Sequence, residues 1–402
     1  MGNEVELSTV ITDIAAGPFG SNLKVECFVP SGFPIIDGAN LKGYKVTDNI
    51  TKFVTEEKAR SLSRSIAHRG DVIVTISGTI GQIAYIPEDS LYDEYLCSQR
   101  QFRVSFDSSM VYVPYLVFYF HTFEGQNKIL SFANQTGVPA LSQPLKNFKK
   151  IRLCLPSLQE QRRIASIVET LNDKIENNIK INDNLEQQAQ SYFQELFVDN
   201  ADPEWTTGTI SDLGTVVGGS TPSKAKPEYY TESGIAWITP KDLSNNKSKF
   251  VSHGENDITE LGLRNSSASI MPEGTVLFSS RAPIGYIAIA AGEVTTNQGF
   301  KSVVPKPEIG TPFVYFFLKN TLPVIEGMAS GSTFKEVSGS TMKNVPAVIP
   351  DAETLAKFSD FCAPIFAQQR ILEEQNQSLA TLRDNLLPKL MSGEIDVSAV
   401  QL

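Results

Sequence analysis

The second half of this chain repeats the first. Ile151-Arg152-Leu153-Cys154-Leu155-Pro156 stands 194 positions before Val345-Pro346-Ala347-Val348-Ile349-Pro350, and both apolar runs lead into a long helical pattern. The offset holds without a gap as far as Phe197 and Met391, laying Asn182 over Asn376, Leu185 over Leu379 and Leu196 over Leu390. A chain made of one unit used twice presents two similar surfaces and so suits a two-part target.

The repeat extends upstream with small slips. Gly20-Ser21 matches Gly219-Ser220, residues 32–41 match 234–243, and residues 70–73 match 274–277. Gln101-Phe102-Arg103 matches Gly299-Phe300-Lys301, and Pro114-Tyr115-Leu116 matches Pro312-Phe313-Val314. Drifting offsets in the globular parts indicate loop insertions. The fixed offset in the helical parts indicates a length that matters.

A length of 402 residues suits two or three domains. The apolar stretches are short and broken by polar residues, so no segment is expected to span a membrane. The four cysteines, Cys27, Cys97, Cys154 and Cys362, are scattered. They read as buried thiols of a reducing cytoplasm, not as disulfides or zinc ligands. The formal net charge is −10, but it is uneven. Residues 1–150 and 201–350 carry only −1 and −2, while the helical stretches 151–200 and 351–402 carry −3 and −4. Lys42, Lys45, Lys52, Lys58, Arg60, Arg64 and Arg69 cluster in the first globular part, and Lys224, Lys226, Lys241, Lys247 and Lys249 in the second. A local basic face binds phosphate whatever the total charge, because salt screens acids beyond about 10 Å. A solvated surface of mixed charge is the competing reading.

Residues 157–197 lack Gly and Pro, and apolar residues recur by threes and fours at Ile164, Ile167, Leu171, Ile175, Ile179, Leu185, Ala189, Tyr192 and Leu196. The second copy gives Phe358, Phe361, Ile365, Leu372, Leu379, Leu382, Leu386 and Leu390. Forty helical residues run about 60 Å, the length of a coiled coil. Two such helices in one chain are expected to pair antiparallel, with a pseudo-twofold relation. Asn182 and Asn376 lie in the stripe, where they either fix register or turn to its edge. A start or kink is expected near Pro364 and a break at Pro388. The tail beyond Gly393 then forms a short extended piece.

Each globular repeat reads as mixed α and β. Residues 72–76 and 276–278 look like buried strands, followed by Gly-bearing turns at 77–81 and 280–285. Residues 114–120 and 312–318 begin with Pro and are dense in aromatics, as buried helices would be. Chemistry is sparse. There is no Gly-x-x-x-x-Gly-Lys-Ser/Thr loop for ATP and no Pro-Pro pair, and the three histidines His68, His121 and His253 have no matching positions between repeats. Asp351 reads as the first residue of a helix.

Residues 155–165, Leu155-Pro156-Ser157-Leu158-Gln159-Glu160-Gln161-Arg162-Arg163-Ile164-Ala165, look like the "LPPLxEQxxIA" start of the central helix in the specificity subunits of type I restriction-modification systems. Leu387-Pro388-Lys389-Leu390-Met391-Ser392-Gly393-Glu394-Ile395 is similar to their "LLPKLMSGEI" ending. Gly219-Ser220-Thr221-Pro222-Ser223, Trp237-Ile238 and Asp242-Leu243 match the opening of many target recognition domains. The chain thus resembles that family over its full length, although the second helix starts without the Glu-Gln pair.

The resemblance implies a mixed α/β chain: a first target recognition domain at 1–154, a central coiled-coil helix at 155–199, a second recognition domain at 200–350, and a C-terminal helix and tail at 351–402. Each domain would read half of a split sequence in double-stranded DNA, roughly one helical turn or about 34 Å apart. The helices would dock two modification subunits, which methylate adenine and hold S-adenosylmethionine; restriction subunits using ATP and Mg would join the larger complex. The chain itself would hold no cofactor or metal and would be non-catalytic. Candidate DNA contacts are Lys24, Lys42, Lys45, Arg64, Ser77 and Thr79 in the first domain, and Thr221, Lys224, Lys226, Tyr229, Lys241 and Arg281 in the second. Arg281 takes the turn position of Ser77 and could grip guanine O6 and N7. Two rivals remain: a nuclease or self-contained methyltransferase of unfamiliar motif, and a coiled-coil scaffold with two protein-binding heads.

Overall fold

The computed structural model describes residues 3–134, 137–331 and 335–400. They form two compact units, Met1–Lys174 with Ser378–Leu402, and Ile175–Gln377. The central helix Leu158–Gln194 and the C-terminal helix Ala352–Ser392 each contribute a stretch to both.

In the first unit, strands Ile11–Ala16, Gln101–Phe106, Val72–Thr75 and Ile83–Tyr85 lie side by side in that order, all antiparallel. Alternation sorts their side chains. Val72, Val74, Phe102 and Val104 face the main core, while Ile73 and Ala84 face a smaller one with Ile36 and Tyr95. Helix Val113–His121 lays Tyr115, Leu116, Phe118 and Phe120 in the main core, and Pro114 sits in its first turn, where a missing N–H costs nothing. Ile164, Ala165 and Val168 of the central helix and Leu387 and Leu390 of the C-terminal helix complete that core. The second unit repeats the plan with strands Gly214–Gly218, Lys301–Pro305, Val276–Ser280, Ile284–Ala290 and Phe250–Val251. Helix Thr311–Met328, Ala189 and Phe193 of the central helix, and Phe358, Cys362, Ile365 and Phe366 of the C-terminal helix fill its core.

Strand register revises two matches made from sequence. Val72 pairs with Val104, and Val276 with Val303, so Phe102 corresponds to Lys301 and not to Phe300. Phe300 instead faces the smaller core with Leu277, because a one-residue shift in a strand moves a side chain to the opposite face. Likewise Gly17 N–H donates to the Gln101 carbonyl and Gly219 N–H to that of Phe300, so Gly17, not Gly20, is the partner of Gly219. A Cβ on Gly17 would lie 1.9 Å from the Ser98 carbonyl oxygen, and one on Gly219 1.9 Å from that of Asn297, which explains glycine at both.

The helices differ from expectation in three ways. The C-terminal helix runs unbroken through Pro364 and Pro388. Both prolines are exposed, as are Asp360 and Asp384 one turn earlier, so water can reach the carbonyls they leave unpaired. Burial of Cys362, Ile365 and Phe366 beside Pro364, at about 1.5–3 kcal/mol for a large side chain, outweighs the ~3 kcal/mol cost of an internal proline. The tail after Gly393 (φ +76°) is built of turns and not an extended piece, and Val397 packs into the first core.

The stripe is also more polar than the apolar spacing suggests. Ile164, Phe358, Ile365 and Leu372 are buried, while Ile167, Leu171, Ile175, Leu185, Tyr192, Leu379 and Leu386 are half-buried. Phe361 is exposed, with its ring 4.5 Å from that of Tyr192, and Ile179 and Leu382 are exposed too. Asn172, Asn178 and Gln369 are buried instead. In the first unit Arg383 donates to Asn172 (3.0 Å). In the second, Asn178 donates to Asn376 (2.9 Å), and Gln369 to the Asn182 carbonyl (3.2 Å). Within the second unit the partner number falls as the residue number rises, so the pairing there is antiparallel. Among the cysteines all four thiols are free; Cys97 and Cys362 are buried, but Cys154 is exposed because it alternates with buried Leu153 and Leu155 along its strand.

The Glu-Gln pair at the start of the central helix has two distinct jobs. Glu160 accepts from the Ser157 amide (3.0 Å) and hydroxyl (2.6 Å), while Ser157 Oγ accepts from the Glu160 amide (3.3 Å), a reciprocal cap that holds the Glu160 carboxyl below its usual pKa. Gln161 is wholly buried. Its oxygen accepts from the Tyr112 amide (2.8 Å) and its nitrogen donates to the Met110 and Pro156 carbonyls (both 2.9 Å). It thereby ties the loop before helix Val113–His121 to the central helix. In the second copy Asp351 caps through the Thr354 amide (2.8 Å), and Leu355, also buried, takes the place of Gln161. Gln161→Ala would leave the part-buried Tyr112 amide and the Met110 and Pro156 carbonyls without this partner and should destabilise the first unit by about 2–4 kcal/mol in urea unfolding; Leu355→Ala should cost a similar amount, but through a cavity in the second.

Lys249 fixes the second recognition body to both helices. Its ammonium meets Glu186 of the central helix (2.7 Å), Gln369 of the C-terminal helix (2.8 Å) and the face of Phe366 (3.6 Å). Lys319 and the Tyr315 hydroxyl also donate to Glu186, and Glu373 accepts from the amides of Lys249 and Phe250. Burial, opposed by Glu186, pulls the Lys249 pKa down to about 8. Between about pH 8 and 10.5 the unfolded chain therefore binds the proton that the folded chain has lost, and stability contributed by this group rises with pH. Urea unfolding from pH 7 to 10 should show that rise in the wild type and lose it in Lys249→Met.

Candidate nucleic-acid interface

Backbone hydrogen bonds gather the same four segments at one end of the main sheet in each unit. In the first, the Gly17 amide reaches Gln101 O (2.8 Å), Ile76 reaches Arg100 O (2.7 Å), Gly78 reaches Pro139 O (2.9 Å) and Leu141 reaches Ile76 O (2.8 Å). In the second, Gly219 reaches Phe300 O (3.4 Å), Ser280 reaches Gly299 O (2.7 Å) and Val337 reaches Ser280 O (3.0 Å). Ser98 donates to Ile36 O and Asn297 to Ile238 O, both at 3.0 Å. The two loop ends are thus one construction with different side chains.

The candidates distribute unevenly over these ends. Ser77 and Thr79 lie on the turn after strand Val72–Thr75, and Arg281 takes the matching turn position in the second unit. Lys24 and Lys226, chosen separately from sequence, are structural equivalents: each is exposed and immediately precedes a 3-10 turn, Val25–Cys27 and Pro227–Tyr229. Lys42, Arg64 and Lys224 are exposed. Thr221 donates to Gln298 on the neighbouring turn. Lys241 is exposed but paired with Glu255 (2.5 Å).

Two candidates are drawn away from any such surface. Tyr229 is 5% exposed, with the Lys226 ammonium over its ring and Gly262 against its backbone and Cβ. It cannot stack on a base in this conformation. Lys45 pairs with Asp173 of the central helix (3.2 Å), so it serves the junction of sheet and helix.

Sequence reasoning passed over Gln99 and Gln298. Both are exposed, and the register makes them equivalents on the turn that leads into the central strand of the main sheet. Their match was visible as Ser98-Gln99 over Asn297-Gln298, but the pairing of Phe102 with Phe300 hid it by one position. Phe19, at the position of Thr221, is 80% exposed, and a Cβ on the next residue, Gly20, would lie 2.9 Å from Gln99 Oε1. Among the described residues no group of three or more His, Cys, Asp or Glu could hold a metal ion, and no helix is long and apolar enough to cross a membrane.

Two copies of one mixed α/β body, each bearing the same loop end and sharing two long helices, define a duplicated recognition module. The family described as type I restriction modification DNA specificity domain matches residues 29–187 and again 203–382, and the chain belongs to that family. It is 39% identical over 194 residues to the specificity subunit of the type I restriction enzyme MjaIX of Methanocaldococcus jannaschii, a match spanning 46% of this chain and 45% of that one. With the HindI specificity subunit of Haemophilus influenzae it shares 23% over 392 residues, covering 78% of this chain and 84% of the relative. The crystal structure of a type I restriction-modification S subunit from M. genitalium superposes with a TM-score of 0.59 at 16% identity, covering 96% of this chain and 95% of that one, and so shares the fold.

Proposed function

We propose that this chain is the sequence reader of a type I restriction-modification complex, each unit reading one half of a split site in double-stranded DNA. The observation that carries this reading is the duplicated loop end, one backbone construction built twice with unlike side chains. Two such ends read two unlike short sequences, and helices of fixed length set the number of unread base pairs between them.

In the first unit the proposed contacts are Lys24, Lys42, Arg64, Ser77, Thr79 and Gln99. In the second they are Thr221, Lys224, Lys226, Lys241, Arg281 and Gln298. Lysines so exposed suit phosphate, whereas Gln99 and Gln298 are of the type that pairs with adenine N6 and N7 in the major groove. The helices would dock two modification subunits, and those subunits, not this chain, would carry S-adenosylmethionine and methylate adenine. Restriction subunits with ATP and Mg would complete the assembly. The chain itself is proposed to be without catalysis, acting in the cytoplasm where its DNA lies.

Co-expression with the modification subunit in a methylation-free host, followed by mapping of N6-methyladenine, tests this directly. Two short specified blocks around a constant gap are expected. No new methylation from a soluble, associated complex would favour a scaffold with protein-binding heads. With purified complex, Lys24→Ala combined with Lys226→Ala should weaken binding alike on all sequences and lower the slope of log affinity against log salt by about 2; an unchanged slope would remove both lysines from the phosphate contacts.

A further inference from the structure

The turns at 76–81 and 280–285 share two left-handed backbone positions. Gly81 and Gly285 match at φ +89° and +93°, and Ala282 at φ +50° stands where the first unit has Gly78 at +91°. A left-handed alanine costs about 1–2 kcal/mol. The second unit thus keeps this left-handed position with a residue that disfavours it.

What the turn presents differs between the units. Ser77 bridges Ala140 across the loop end. The matching bonds, Leu141 N to Ile76 O and Val337 N to Ser280 O, make Arg281 and Glu336 the counterparts of Ser77 and Ala140. A small neutral pair has become a pair of opposite charges at the same two positions. Arg281 Nη1 lies 3.5 Å from Glu336 Oε2, with the side chains 37% and 40% exposed. Lys301, only 15% exposed, approaches the other carboxylate oxygen at 3.8 Å and donates to the Gln298 carbonyl at 3.4 Å. The carboxylate is therefore held from below by Lys301, while Arg281 and the outer face of Glu336 remain open. An ion pair this exposed is worth about 0–1 kcal/mol, so it contributes little to folding and opens at little cost.

Resting on the reading of this end as a DNA reader, we propose that Arg281 and Glu336 act together as the reader of one G·C base pair in the second half-site. Arg281 donates two N–H bonds to guanine O6 and N7, and Glu336 accepts from the cytosine N4 amino group. Each replaces its partner with one base of the pair, so neither is left uncompensated. A wrong pair offers Glu336 a thymine O4 or leaves Arg281 without its two acceptors, and the carboxylate repels phosphate that would otherwise capture Arg281 without regard to sequence. The first unit, with Ser77 and Ala140, makes no such demand at the equivalent position.

The test is the methylation motif of the assembled complex carrying Arg281→Ala or Glu336→Ala. Both side chains are half-exposed, and thermal melting checks that each variant folds. Expected is that both variants relax one and the same G·C position in one half-site and leave the other half intact. On oligonucleotides, exchanging that G·C for A·T should weaken wild-type binding about tenfold and either variant less than twofold. An unchanged motif, relaxation at two different positions, or a wild-type motif whose halves specify no G·C would overturn the pairing while the two-reader function stands. Absence of any split motif in the wild type would overturn both. Lowered melting with an unchanged motif would make the pair a structural one and sink the proposal.

Discussion

Closure of each hydrophobic core by residues from both long helices is the constraint on which the rest of this structure depends. The first sheet and its helix bury one face against Ile164, Ala165 and Val168, but Leu387 and Leu390, more than two hundred residues further on, complete the same core. The second core draws on Ala189 and Phe193 from one helix and Phe358, Cys362 and Ile365 from the other. At roughly 1.5–3 kcal/mol for each large side chain buried, these contacts are the main force that seats a recognition body on the helices. Polar contacts then give each junction its own character. The first has Gln161, Lys45 with Asp173, and Arg383 with Asn172; the second has Lys249 with Glu186 and Gln369. One backbone plan is thus held by two unlike sets of bonds.

Much of this was legible in the sequence because it rests on periodicity. The repeat, both long helices, the proline-led aromatic helices and the buried strands after Gly70 and Gly274 all follow from spacing. The family likeness lay in short motifs whose physical reasons are now plain: Ser157 and Glu160 cap a helix, Gln161 staples a loop, and Gly393 ends a helix in the left-handed region.

What was not legible depends on pairing across space. Matching Phe102 to Phe300 looked natural by residue type, yet hydrogen-bond register shifts it by one, and with it the match of Gln99 to Gln298. Buried Asn172, Asn178 and Gln369 escaped notice because composition cannot show that a polar residue has a partner on another helix. Pro364 read as a start or kink and Pro388 as a break because their cost is local, whereas the burial that offsets it comes from distant residues. At the loop ends, sequence could nominate basic residues but not show which are committed elsewhere. Tyr229 turns inward and Lys45 is held by the helix, and only the folded chain reveals that Glu336 stands across from Arg281.

The sharing of helices has a topological consequence. Each half of the sequence lends part of its helix to the core of the other half and receives a part in return. In the language of assembly, the chain is an exchanged dimer whose two protomers have been fused end to end. Fusion frees the halves from having to be identical, which exchange between separate copies would impose. Leu355 in place of Gln161, and Arg281 with Glu336 in place of Ser77 with Ala140, are the asymmetries that such freedom permits.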